Sequence, residues 1–177
     1  TRYPLVTGVQ TCALPICTGY HPTTRMVCRE LYKWVQPEST WIDAGCGSGV
    51  LAILTSKLRA KTVFAFDNDE WSVQNSIDNC MLNDIVNVQV KQADIFTIEL
   101  EEVDGIAANM YRNLIIPNFK KFYNALQASK GMLILSGILT MDADEIISIA
   151  ISSRFEDRKS TRLNSGHEWI SRMPSSA

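Results

Sequence analysis

Apolar positions recur along this chain in two periods. Met26, Val27, Leu31, Trp34 and Val35 fall at helical spacing, which predicts a helix over about 23–35, ended by Pro37. Thr40–Ala44 is a short apolar strand, and Val50–Arg59 carries Leu51, Leu54 and Leu58 on one helical face. Thr62–Phe66 is β-branched and aromatic, as strands are. Glu70–Leu82 reads as a helix with Asp69 as its N-cap and Asn83-Asp84 as its exit turn. Val86–Val90 alternates as a short strand, and Gly105–Asn109 reads as a buried one. A helix over about 114–126, opened by Pro117 and broken by Gly131, leads to a strand at Met132–Ser136 and a last helix at Asp142–Ser152. Strands alternating with helices of about 10–15 residues predict an α/β fold, a doubly wound Rossmann-like parallel sheet of about five strands.

The first strand runs into Asp43-Ala-Gly-Cys-Gly-Ser-Gly49, with glycines at Gly45, Gly47 and Gly49, and a helix then starts at Val50. Strand, glycine turn and helix start make a nucleotide-cofactor site, because glycine lets the backbone approach a ligand closely. The spacing is not that of a dinucleotide loop, whose third glycine would fall at Val50, and the Lys-Ser/Thr of a phosphate-binding P-loop is absent. Asp43 would repel a pyrophosphate but suits a ligand with an amino group and a cationic sulfur, such as S-adenosyl-L-methionine. The second strand ends in Asp67, about 20 residues beyond the loop, where a carboxylate can accept both hydroxyls of a ribose.

The 177 residues suffice for one domain, and no apolar run is long enough for a membrane span. Two segments stand apart from the rest. Val6–Ile16 matches an in-frame translation of sequencing-adapter DNA, and Asp157–His167 matches the opposite adapter except at Gly166. The expected organisation is therefore a domain over 17–156 flanked by foreign segments 1–16 and 157–177. Outside those segments 12 basic and 17 acidic residues leave a net charge of −5. That balance offers no basic stripe for nucleic acid; it suits a basic protein partner, although most acidic surfaces are simply solvated. Cys28, Cys46 and Cys80 lack metal-ligand spacing, so no metal is expected. They read as buried thiols of a reducing compartment, which places the protein in the cytoplasm.

With these elements placed, residues 18–156 resemble the class I methyltransferases, and within them the ribosomal protein L11 methyltransferase family. The segments that carry the resemblance are Thr18-Gly-Tyr-His-Pro-Thr-Thr24, the Asp43–Gly49 loop, Phe66-Asp-Asn-Asp69, Ala107-Ala-Asn-Met110 and Leu135-Ser-Gly-Ile-Leu139. Each is short, but their order and spacing together are specific. The resemblance implies S-adenosyl-L-methionine as cofactor, held by Thr24, Gly45, Asp67 and Asn109, with Asp43 and Gly47 of the loop beside them. It also implies transfer of methyl groups to amines of ribosomal protein L11 or another basic protein. Thr24 suits the methionine end of the cofactor. Asn109 also suits the incoming amine, whose hydrogen its amide oxygen can accept. Asp94 has two readings, an adenine contact or a loop or cap residue. His21 reads as a loop residue shaping the cofactor lid rather than as a general base, since displacement at a sulfonium needs alignment and amine desolvation more than a strong base.

The departures are as informative. The family's first glycine before Thr18 is Cys17 here, adapter-like sequence stands where the family has a substrate-recognition domain, and five strands are counted where the fold has seven. The expectation is thus an incomplete sheet lacking its last antiparallel pair, on a marginally stable fragment nearly inactive on L11. Three alternatives stay open: a related protein-lysine methyltransferase with another substrate, an inactive cofactor-binding fragment, and a nucleobase amino-methyltransferase. The last is disfavoured because Asn109-Met-Tyr-Arg112 lacks the prolines of an N-P-P-Y motif. An NAD oxidoreductase conflicts with the glycine spacing.

Overall fold

The structure is a computed structural model that describes residues 21–156, 159–162 and 169–174. The Thr18–Tyr20 part of the first motif, Cys12, Cys17 and the leading segment 1–16 lie outside the described residues.

Helix α1 (Pro22–Trp34) begins with proline at its first position, where a missing N–H costs nothing, and ends as the Val35 N–H reaches back to the Leu31 carbonyl. Strand β1 (Thr40–Ala44), helix α2 (Val50–Lys57), strand β2 (Thr62–Asp67) and helix α3 (Glu70–Leu82) follow as the sequence predicts, within two residues. Asp69 caps α3, its carboxylate accepting from the Ser72 N–H at 2.8 Å and from the Ser72 hydroxyl at 2.9 Å.

Strand β3 (Val88–Gln92) begins two residues later than predicted. Val86 is almost fully exposed, and the Ile85 N–H turns back to the Cys80 carbonyl, so the helix exit consumes the start of the alternating stretch. Strand β4 (Gly105–Asn109) is as expected. The predicted helix over 114–126 is broken into α4 (Arg112–Ile115), a 3₁₀ turn at Ile116–Asn118 and α5 (Phe119–Leu126). Pro117 has no N–H to give, so the turn tightens there rather than opening a longer helix. Strand β5 (Met132–Ile138) and helix α6 (Ala143–Ser152) close the alternating part.

The sheet order is β3-β2-β1-β4-β5-β7-β6. Strands β1 to β5 are all parallel, as expected. The expected loss of the final antiparallel pair is corrected. Strand β7 (Trp169–Pro174) pairs antiparallel with β5, and β6 (Lys159–Arg162) pairs antiparallel with β7. The outer edge of β5 presents unpaired backbone groups, and the segment expected to be foreign supplies the strands that satisfy them.

Side chains alternate across the sheet with period two, and both faces are apolar. Ile42, Phe66, Ile106, Leu133 and Leu135 pack with Phe119, Phe122, Ile146 and Phe155 on one face. Trp41, Val63, Ala65, Ala107 and Ile134 pack with Val27, Leu31, Leu51 and Leu54 of α1 and α2 on the other. Strand order reverses between β1 and β4, so the crevice at the carboxyl ends of the strands opens there.

Candidate active site

The carboxyl ends of β1, β2, β4 and β5 surround a cavity of about 950 Å³ whose walls include His21, Thr24, Gly45, Gly47, Asp67, Asn109 and Gly137. Five predicted residues (Thr24, Gly45, Gly47, Asp67 and Asn109) therefore line one cavity. Thr24 is buried on the first turn of α1, and the neighbouring Thr23 hydroxyl lies 2.6 Å from the His21 Nδ1. His21 is the N-cap position of α1 and lines the cavity.

The glycine loop hangs from the end of β2. The Gly45 and Cys46 N–H groups both donate to the Phe66 carbonyl, at 2.9 and 3.0 Å. The Gly47 N–H donates to Asp67 Oδ2 at 2.9 Å, while Asp67 Oδ1 accepts the Asp69 N–H at 3.1 Å. Helix α3 holds the loop from behind: the Ser76 hydroxyl donates to the Gly47 carbonyl at 2.8 Å, and the Asn79 amide to the Ser48 carbonyl at 2.8 Å. Gly45 has φ of +70°, and a Cβ there would stand 2.8 Å from Met110 Cγ, so the loop can lie this close to β4 only without a side chain.

Asp43 is placed differently from its neighbours. It shares the face of β1 that Trp41 presents to α1 and α2, and it does not line the cavity. Its Oδ2 accepts the Ala52 N–H at 2.9 Å, in the first turn of α2. The N-cap of that helix is Gly49, which has no side chain, so Asp43 supplies the missing cap from the adjacent strand. Among the described residues Oδ1 has no partner. Burial pushes the Asp43 carboxyl up to about 7, against the lowering effect of the Ala52 hydrogen bond and with a smaller upward push from the Asp67 charge.

Asp94 lies beside a smaller cavity of about 230 Å³ that shares Gly45, Asp67, Asn109 and Met110 with the larger one. Its Oδ1 accepts the Phe96 N–H at 2.9 Å, which is a loop-capping contact. Cys28, Cys46 and Cys80 are free and buried; burial raises the Cys46 and Cys80 thiols, Cys80 to about 11. Among the described residues no group of three or more metal-ligating side chains comes together, and no helix is long and apolar enough to cross a membrane.

Sequence reading missed the loop supports Ser76 and Asn79, the wall residue Gly137, and the Arg112–Asp142 pair at the cavity mouth. A signal existed for the first two. Ser72, Ser76 and Asn79 recur at helical spacing and are buried, so the inner face of α3 is polar where a packing helix would be apolar.

The donor set fits S-adenosyl-L-methionine. The Asp67 carboxylate offers about four lone-pair sites, and two accept loop N–H groups, which leaves two for a vicinal diol. A doubly wound sheet with an antiparallel edge pair and this crevice defines the Rossmann-like class I methyltransferase fold. A crystal structure of ribosomal protein L11 methylase from Lactobacillus delbrueckii subsp. bulgaricus shares it, with a TM-score of 0.86 at 24% identity over 96% of this chain and 86% of that one. M. jannaschii TYW2 in complex with AdoMet shares it with a TM-score of 0.65 at 14% identity, over 87% of this chain and 76% of that one. The chain belongs to the ribosomal protein L11 methyltransferase (PrmA) family, whose model matches residues 14–173. The ribosomal protein L11 methyltransferase of Thermoanaerobacter pseudethanolicus is 38% identical over 130 residues, which are 73% of this chain and 42% of that relative. The chain spans about half the length of the curated relatives it matches.

Proposed function

We propose that this protein binds S-adenosyl-L-methionine and catalyses methyl transfer to amino groups of ribosomal protein L11, as a cytoplasmic enzyme. The observation that carries the reading is the convergence of Asp67, with two uncommitted lone pairs, and Thr24, Gly45 and Asn109 on one cavity at the strand reversal. In this reading Asp67 holds the ribose, the bare backbone of Gly45 and Gly47 lies along the cofactor, and Thr24 binds its methionine end. When bound, the cofactor supplies a methyl group on a sulfonium, an electrophile that needs no metal. Asn109 accepts a hydrogen from the incoming amine and so aims its lone pair. The apolar Met110 and Leu51 on the cavity wall exclude water from the amine, which must be neutral to react. Asp43 takes part indirectly, by fixing the start of α2 beneath the loop.

The test has two arms. Calorimetry with S-adenosylhomocysteine and with NADH separates this cofactor from a dinucleotide; binding of NADH alone would overturn the reading. Transfer of radiolabelled methyl from S-adenosyl-L-methionine to purified L11 tests the substrate. Labelling of another basic protein but not of L11 would keep the chemistry and reassign the partner.

A further inference from the structure

Ser136 carries a polar group that the cofactor reading leaves without a use. It lies in β5 beside Ile134, Leu135 and Ile138, and like them it is fully buried. Among the described residues its hydroxyl has no hydrogen-bond partner. An alanine would fill this strand position without cost, whereas the hydroxyl gives up its water contacts and gains nothing in exchange. A buried polar group left unpaired is a departure from the native rule and points to a role outside stability.

The neighbour of that hydroxyl is Asn109. Ser136 and Asn109 are paired residues of the parallel strands β5 and β4, so their side chains leave the sheet on the same face, on strands about 5 Å apart. The Met110 N–H donates to the Ser136 carbonyl at 3.1 Å, which fixes the two strands together at this point. The Asn109 amide leans toward β5: its Oδ1 lies 3.1 Å from where a Cβ would stand on Gly137, the residue after Ser136. Among the described residues the Asn109 carboxamide makes no hydrogen bond either. Asn109 and Gly137 line the cavity and Ser136 does not, so Ser136 can act on a ligand only through Asn109.

We propose that Ser136 is a positioning residue for Asn109: in the ligand-bound protein its hydroxyl donates to Asn109 Oδ1 and holds that oxygen at the cavity wall. A change of serine rotamer, with no movement of the strands, brings the hydroxyl to the amide. The amide oxygen has two lone pairs, so one takes the serine hydrogen and the other stays free for the incoming amine. The proposal rests on the reading of Asn109 given above and adds the group that keeps its amide from turning.

The test uses the full chain. Ser136→Ala removes only the hydroxyl, so the thermal midpoint without ligand is expected to equal or exceed that of the unsubstituted chain. S-adenosylhomocysteine affinity, read by calorimetry, is expected to stay within about threefold. The kcat for methyl transfer to L11 is expected to fall about tenfold, with the KM for S-adenosyl-L-methionine little changed. The double variant Ser136→Ala/Asn109→Ala is expected to be no slower than Asn109→Ala alone, because the hydroxyl acts only through that amide. A lowered midpoint with losses that add to those of Asn109→Ala would make Ser136 a packing residue and overturn the proposal. A crystal structure of the unsubstituted chain with S-adenosylhomocysteine is the second measurement, and it decides alone if Ser136→Ala does not fold. It is expected to show Ser136 Oγ about 3 Å from Asn109 Oδ1. A hydroxyl bonded to Thr24 instead, or still unpaired, overturns the proposal. Unchanged kcat in Ser136→Ala beside a slowed Asn109→Ala overturns this proposal only. Unchanged kcat in Asn109→Ala, or failure of S-adenosylhomocysteine to bind, overturns the reading of the site and this proposal with it.

Discussion

Asp67 Oδ2 accepts the Gly47 N–H at 2.9 Å, so the carboxylate at the end of β2 holds the glycine loop that grows from the end of β1. One side chain thus faces the ligand space and fixes the loop beside it. Loop shape and ribose recognition are coupled through that bond.

Replacing Asp67 is expected to damage both. Asp67→Ala removes a charge-assisted acceptor from the loop and from the diol, each contact worth about 1.5–3 kcal/mol. S-adenosylhomocysteine affinity is expected to fall on the order of a hundredfold, with a lowered thermal midpoint even without ligand. Asp67→Asn keeps one oxygen for Gly47 and is expected to lose about tenfold. Calorimetry and thermal melts read both quantities. Unchanged affinity in Asp67→Ala would remove the ribose assignment.

Asp43 predicts a pH dependence of stability. Its folded carboxyl titrates near 7, well above the ordinary carboxylate range of an unfolded chain. Between those two values the folded state binds more protons, so stability from this group is fully present at low pH and is lost as pH rises through about 7. Asp43→Asn keeps an oxygen for the Ala52 N–H but carries no charge. The mutant is expected to gain on the native protein by about 1–3 kcal/mol between about pH 5 and about pH 8. Urea unfolding at both pH values measures the gap, and parallel curves for the two proteins would refute it.

Much of this was legible in the sequence, for a definite reason. The strands β1, β2, β4 and β5 carry apolar side chains on both faces, and Asp67, Asn109 and Gly131 mark their bounds, so their type and much of their extent follow from local pattern. Asp67 and Asn109 were legible because they end strands, where a parallel sheet exposes its ligand edge. Asp43 looked the same in one dimension, yet the alternation along β1 turns it toward α2 with Trp41. Gly137 and the Arg112 ion pairs depend on contacts between β4, β5 and α6, which no local pattern encodes. The pairing of β7 with β5 was missed because sequence that looks foreign was excluded, whereas an open strand edge accepts any chain of suitable length.

Gly105 is expected to tolerate no side chain. A Cβ there would stand 2.5 Å from three atoms of the Trp41 indole. That ring is buried, and its Nε1 donates to the Ser39 hydroxyl at 3.0 Å, so it cannot swing aside freely. Gly105→Ala is expected to destabilise by about 1–3 kcal/mol through overpacking. Combining it with Trp41→Phe, which shortens the ring, is expected to cost less than the sum of the two single changes. Additive denaturation free energies would mean that the indole is not the obstacle.

Arg112 ties the mouth of the cavity together. Its Nη2 lies 2.6 Å from both carboxylate oxygens of Glu145 on α6, and its Nε lies 3.7 Å from Asp142 Oδ1 in the turn before that helix. Arg112 and Asp142 both line the cavity, so the ion pairs join the segment after β4 to the segment after β5. The groups are substantially exposed, and exposed pairs add little to global stability. Glu145→Gln is therefore expected to leave the thermal midpoint almost unchanged. Its effect is expected to be local: amide exchange in peptides covering 111–118 accelerates while exchange in β4 and β5 stays slow. Salt of about 1 M, which shortens the screening length to about 3 Å, is expected to act in the same direction in the native protein and to add less in the mutant, which keeps only the Asp142 pair. Exchange at 111–118 that ignores both treatments would show that α4 is held by its apolar contacts and not by Arg112.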